Sequence, residues 1–111
     1  IVPIDGAFAE KLMKDNTFYS VYKIPANTYS NQPEEISTVT VKATLIVSAD
    51  ANEEEVYNLT AAIFNNIEAI AKEHAKGAEL SLQNATEGLT VPFHAGAAKY
   101  FKEKGIEVAV K

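Results

Sequence analysis

A two-residue period runs through residues 38–48, TVTVKATLIVS, with one face fully apolar and the other mixed. Val39, Val41, Ala43, Leu45 and Val47 fall on one side, and Thr40, Lys42, Thr44, Ile46 and Ser48 on the other. A wholly apolar set repeating every second residue is the pattern of a β-strand with one face against a core. Eleven residues is long for a strand in a small domain, where about five or six is typical. The pattern predicts a strand that runs from one structural unit into another. Directly behind it the period changes. In residues 50–74, Val56, Leu59, Ile63, Ile67 and Ile70 recur at spacings of three and four, with Phe64 and Ala71 widening the stripe. Asp50 with Glu53, or Asn52 with Glu55, supplies a capping box. Glu53, Glu54 and Glu55 suit the positive end of a helix, and Gly77 supplies a stop. One face of this helix is expected to pack on a sheet, so the fold class is α/β.

The flanking segments fill in the rest. Asp5 is a candidate N-cap for a first helix carrying Phe8, Leu12 and Met13 on one side. Residues 18–24 are rich in aromatic and β-branched side chains and read as a strand that Pro25 ends. Residues 25–33, PANTYSNQP, are dense in turn formers and read as a loop. Six consecutive loop residues, Asn27 through Gln32, carry hydrogen-bonding side chains. Residues 81–87 predict a short helix stopped by Gly88. Residues 95–104 predict a final helix that buries Ala97, Ala98, Tyr100 and Phe101 and closes at Gly105. Residues 106–110 read as a last short strand or a frayed tail.

Composition narrows the function classes. With 111 residues, of which 47% are hydrophobic, the chain suffices for one modest core and not for two full domains. A net charge of −5 with scattered lysines argues against a nucleic-acid partner, which needs a clustered basic surface. The absence of cysteine removes disulfides, Cys-based metal sites and a thiol nucleophile. No apolar run approaches the ~20 residues of a membrane span. Ile1 in place of Met is expected of a processed chain or a piece of something longer. The N-terminus lacks signal-peptide character, so any secretory address is expected to have been removed.

Four stretches, in order, carry a family likeness: FYSVYKIPANTY (18–29), TVTVKATLIVS (38–48), EEEVYNLTAAIF (53–64) and VPFHAGAAKYFKEKG (91–105). Together they resemble the C-terminal segment of TAXI-family solute receptors, which serve TRAP-type transporters. Two positions depart from the family pattern. His94 is followed by Ala95 where the family has Pro, and Asn27 stands where Gly usually precedes Thr-Tyr. Asn is the commonest non-glycine residue at positive φ, so the second exchange is physically mild.

The resemblance implies a partial type II periplasmic-binding-protein-like fold, with helices packed on a small mixed sheet. The chain would be the C-terminal third of a two-lobed receptor. On that reading residues 1–24 end one lobe, residues 25–48 form a loop and crossover strand, and residues 49–111 belong to the other lobe. The implied function is extracytoplasmic, periplasmic capture of a small organic anion or amino acid such as glutamate by hinge closure. TRAP permease subunits would be the membrane partner, and no cofactor is expected. Asn27, Thr28 and Tyr29 are the candidate ligand-binding residues, as short polar and aromatic groups at a strand end near the crossover. Tyr19 and Tyr22 rank behind them. The chain has no arginine to clamp an anion, so that task falls to backbone amides or to residues outside the chain.

Three other readings compete. A hydrolase using His94 with Asp50 or a serine would need a nucleophile elbow, and no GxSxG is present. A metal site at His94 would need further ligands, and His74 has no paired spacing with it. An isolated structural or interaction fragment, with no ligand binding of its own, is the principal alternative to a receptor. Severed apolar surface predicts self-association through strand edges near Val39 to Val47.

Overall fold

The structure is a computed structural model and describes residues 1–110. It holds helices and a small sheet, as an α/β chain should, and divides into two compact units. One comprises Ile1–Thr44 with Gly88–Thr90, and the other Leu45–Glu87 with residues 91–110.

In the first unit, α1 (Gly6–Asp15) begins after Asp5, which holds the extended cap geometry although its side chain caps no amide. Asn16 ends the helix by turning both its backbone N–H and its carboxamide back to Leu12 O, at 2.9 and 3.2 Å. The buried stripe is Ala9, Leu12, Met13 and Asn16, with Ala9 the most covered. The expected apolar side was thus offset: Leu12 and Met13 lie on it, but Phe8 is 69% exposed. Because each residue turns the helix by about 100°, centring the stripe on Ala9 carries Phe8 out to solvent.

The sheet pairs β1 (Tyr19–Ile24) with β2 (Ile36–Val41), antiparallel, in a register from Tyr19↔Val41 to Ile24↔Ile36. Opposed residues share a face. Ser20, Tyr22 and Ile24 with Thr40, Thr38 and Ile36 make one face, half-buried throughout. Tyr19, Val21 and Lys23 with Val41, Val39 and Ser37 make the other, on which Val21 and Val41 are each 56% exposed.

The predicted eleven-residue strand is therefore corrected to six. β2 stops at Val41 because its partner begins at Tyr19, and residues 42–48 run on with no ladder beside them. Alternation says which side of a segment seeks cover; hydrogen-bonded pairing needs a second strand, and none of the described residues supplies one there.

In the second unit, Asn52 rather than Asp50 caps α2 (Glu53–Asn65). Its carboxamide oxygen accepts from the amides of Glu54 and Glu55 at 2.9 and 3.1 Å. The single helix expected over 50–74 is two. Asn66 departs from helical backbone (φ −120°, ψ 23°), and its side chain donates to Ala62 O at 2.7 Å. Such local back-bonding competes with the main-chain ladder. α3 (Ile67–Glu73) follows, and then a 3₁₀ turn over Ala75–Glu79. The helix expected over 81–87 shrinks to a 3₁₀ turn at Asn84–Thr86. The terminal strand reduces to a parallel bridge between Phe93 and Val110, with Phe93 N–H donating to Ala109 O at 2.8 Å. Segments this short lack the neighbours that would extend them.

α4 (Ala95–Glu103) lies against α2, and their contact holds the densest core. Val56, Ala98, Tyr100 and Phe101 are buried. The Phe64 ring stacks on Tyr100 at 5.8 Å and meets Phe101 edge-on at 5.4 Å, and Phe101 meets Phe93 edge-on at 5.4 Å. Each such pair contributes about 0.5–1.5 kcal/mol beyond its buried area. Gly96 allows the approach, for a Cβ there would overlap the Glu53 carbonyl oxygen and lie 2.8 Å from Tyr57 N. At the far end Gly105, with φ +79°, closes the helix while Ile106 N–H returns to Phe101 O at 3.0 Å.

Candidate functional site

The loop between β1 and β2 carries all three residues singled out by sequence. Pro25 ends β1 because it has no N–H to extend the ladder. The chain then turns through two asparagines in the left-handed region, Asn27 at φ 63° and Asn31 at φ 60°. Thr28 folds back on Pro25 O, donating its amide at 3.3 Å and its hydroxyl at 2.7 Å. Tyr29 follows with its side chain 57% exposed.

At the centre of this exposed loop sits a buried polar residue. Gln32 is only 5% exposed. Its amide nitrogen donates to Pro25 O at 2.9 Å and Glu34 O at 2.7 Å, and its side-chain oxygen accepts from Tyr29 N–H at 3.2 Å. Its main chain adds two bonds, accepting from Asn27 N–H at 2.7 Å and donating to Tyr29 O at 3.3 Å. Sequence reasoning counted Gln32 as one polar loop residue among six. No spacing or residue type set it apart, since burial of a single carboxamide depends on how the loop closes.

What the loop can offer a ligand follows from what it has already used. The amides of Asn27, Thr28 and Tyr29 are all committed within the loop. None of the three remains for an anion. The Thr28 hydroxyl donates internally and keeps only acceptor capacity outward. The Asn27 carboxamide and the exposed Tyr29 ring and hydroxyl complete the set. It is a neutral hydrogen-bonding surface with one aromatic face.

The other candidates fall elsewhere. Tyr19 and Tyr22 are half-buried on opposite faces of β1 and cannot act together. His94 is the N-cap of α4: Nδ1 accepts from Gly96 N–H at 3.2 Å, and Nε2 lies 3.1 Å from Ala51 O. Nδ1 therefore carries the lone pair and Nε2 the hydrogen. Both ring nitrogens are occupied by main-chain groups, so His94 serves as a cap. His74 caps the 3₁₀ turn through Lys76 N–H at 3.1 Å. Among the described residues no three His, Cys, Asp or Glu side chains gather where a metal ion could sit. An open groove of about 660 Å³ follows the α2–α3 break, lined by Phe64, Asn66, Lys72 and Glu73 among others, and includes none of the loop residues.

A protein-family model described as the NMT1-like family matches residues 1–105. The chain belongs to the NMT1-like family. This is a family of periplasmic-binding type, so the kind of function is solute binding rather than one typical of enzymes. Members are usually extracytoplasmic. No described helix of this NMT1-like chain is long and apolar enough to cross a membrane. Within it the stretch HAGAAKYF is explained by packing: His94 caps, Gly96 permits contact, and Ala98, Tyr100 and Phe101 fill the interface. The β1–β2 loop presents the Asn27 and Tyr29 side chains to solvent.

Proposed function

We propose that this chain is the C-terminal part of a TAXI-type receptor of a TRAP secondary transporter, which captures a small organic anion or amino acid such as glutamate in the periplasm. The receptor closes on its ligand by hinge motion and delivers it to the TRAP permease subunits. The two compact units are parts of the two lobes, and Asn27, Thr28 and Tyr29 belong to the ligand-contacting surface. The observation that carries the reading is the NMT1-like match over 1–105, nearly the whole chain. The outward-facing Asn27 and Tyr29, whose own amides are already bonded within the loop, support the choice of site.

Uncovered apolar surface favours a receptor piece over a self-sufficient domain. Leu45 and Ile46 are 69% and 76% exposed. Surface of this kind is what the rest of a larger receptor covers.

The same observation supports the companion reading that the 111 residues alone bind nothing. The amides of the three candidate residues are spent, and the chain contains no arginine. Titration calorimetry with L-glutamate and a panel of small organic acids decides between the readings. The longer polypeptide containing this sequence is expected to bind one of them, and the isolated chain to bind none. Micromolar binding by the isolated 111 residues overturns the division of labour, and no binding by the longer polypeptide overturns the receptor assignment.

A further inference from the structure

We infer that Gln32 is a positioning residue that presets Asn27, Thr28 and Tyr29 for ligand contact; the inference rests on the reading of that loop as a ligand surface. Gln32 is the one buried polar side chain among the described residues, although its neighbours on both sides are exposed. Its carboxamide spends both N–H groups and one oxygen lone pair on three separate points of the loop, Pro25, Tyr29 and Glu34. A solvated surface loop needs no such arrangement, because water satisfies its carbonyls. Each candidate residue is fastened through this one side chain or its own main chain. Asn27 N–H is held by Gln32 O, and Tyr29 N–H by Gln32 Oε1. Thr28 is held through Pro25 O, the acceptor it shares with Gln32 Nε2.

The consequence for binding is preorganisation. A loop whose contact groups are already in place loses little conformational freedom when ligand arrives. Without the carboxamide, the competent conformation becomes one of several, and apparent affinity falls by the fraction that remains competent. A loop competent in one to ten per cent of molecules would weaken affinity about tenfold to a hundredfold. The loss should appear in the association rate, with dissociation of the correctly bound complex little changed.

The experiment uses the longer polypeptide with Gln32→Met, which keeps the volume and removes the hydrogen bonds, and Gln32→Glu, which keeps the acceptor for Tyr29 N–H and removes both donors. Gln32→Ala serves as the harsher variant. Amide hydrogen exchange at Asn27 and Tyr29 reads loop order without ligand, and stopped-flow binding of L-glutamate and the same acid panel reads function. The expected result is faster exchange at both amides, with association slowed about tenfold or more and the dissociation rate within about twofold. Unchanged exchange in Gln32→Met overturns the positioning role whatever the binding shows. Faster exchange with unchanged binding overturns the ligand role of the loop, and Tyr29→Ala then also binds normally, which separates that failure from the first. Fold loss alone would slow association and speed dissociation together, and that pattern counts against the inference. If the unmodified polypeptide binds no member of the panel, the loop reading and the inference built on it fall together.

Discussion

Asn27 shows how much one backbone angle explains. At φ 63° it occupies a region that costs most L-residues about 1–2 kcal/mol, and that asparagine tolerates better than any other non-glycine residue. The position is thus filled by the best choice after glycine, and the physical need behind it is the left-handed turn after Pro25. Asn27→Gly should leave unfolding free energy within about 0.5 kcal/mol of the original, whereas Asn27→Val should lose about 1–2 kcal/mol. Urea titration of both variants checks the pair, and equal losses would show that the angle is not what selects the residue. Gln32 makes the contrary point at the same scale. Its type was plain in the sequence, but its importance was not, because a carboxamide looks alike whether it faces water or three carbonyl and amide groups inside a loop.

Between elements, the α2–α4 contact was the most legible part of the fold. The stripe through Val56 and Phe64 and the aromatic pair Tyr100 and Phe101 both announced buried faces, and they meet each other, so that α2 packs on a helix where a sheet was expected; Leu59, counted in the same stripe, is 45% exposed. The break at Asn66 is not marked in the pattern, since asparagine inside an apolar period lowers helix propensity only slightly and its local back-bond to Ala62 is one of several conformations open to it. At the exposed edge of this contact the Tyr57 hydroxyl donates to Glu103 Oε2 at 2.7 Å. That hydrogen bond, followed by the cost of removing the phenolate from water and by the nearby carboxylate charge, raises the Tyr57 pKa above its ordinary 10.0. A folded state that holds the proton more tightly than the unfolded chain is stabilised fully below pH 10. The contribution fades as pH rises through the raised value. Stability should therefore fall more steeply between pH 9 and pH 11 in the original chain than in Tyr57→Phe. Denaturant curves at the two pH values measure the difference, and parallel losses would mean that the bond contributes nothing in solution.

At the scale of the whole molecule, the apolar surface left open is the dominant fact. Residues 42–48 keep the composition of a strand, and Leu45, Ile46 and Val47 remain 69%, 76% and 41% exposed. A segment of strand-like composition with no described strand paired beside it is a template for another strand. The isolated chain is expected to self-associate in sedimentation velocity as concentration rises, and Ile46→Lys, which places a charge at the most exposed of these three apolar side chains, should shift it toward monomer. A monomer at every concentration, with no effect of the substitution, would remove this segment as the contact.

Sequence by itself determined the α/β class, the positions of the five main helix and strand patterns, the polar loop and the packing motif near the end. Each rests on local periodicity or on a residue with a narrow conformational role, such as Pro25, Asn27 or Gly105. Tertiary structure alone decided where β2 stops, which face of α1 is covered, that the long helix breaks, and that Gln32 ties the loop together. Those outcomes depend on neighbours: a strand lasts only as far as its partner, a helix face is buried only where something meets it, and a polar side chain becomes structural only when water is shut out and main-chain groups replace it.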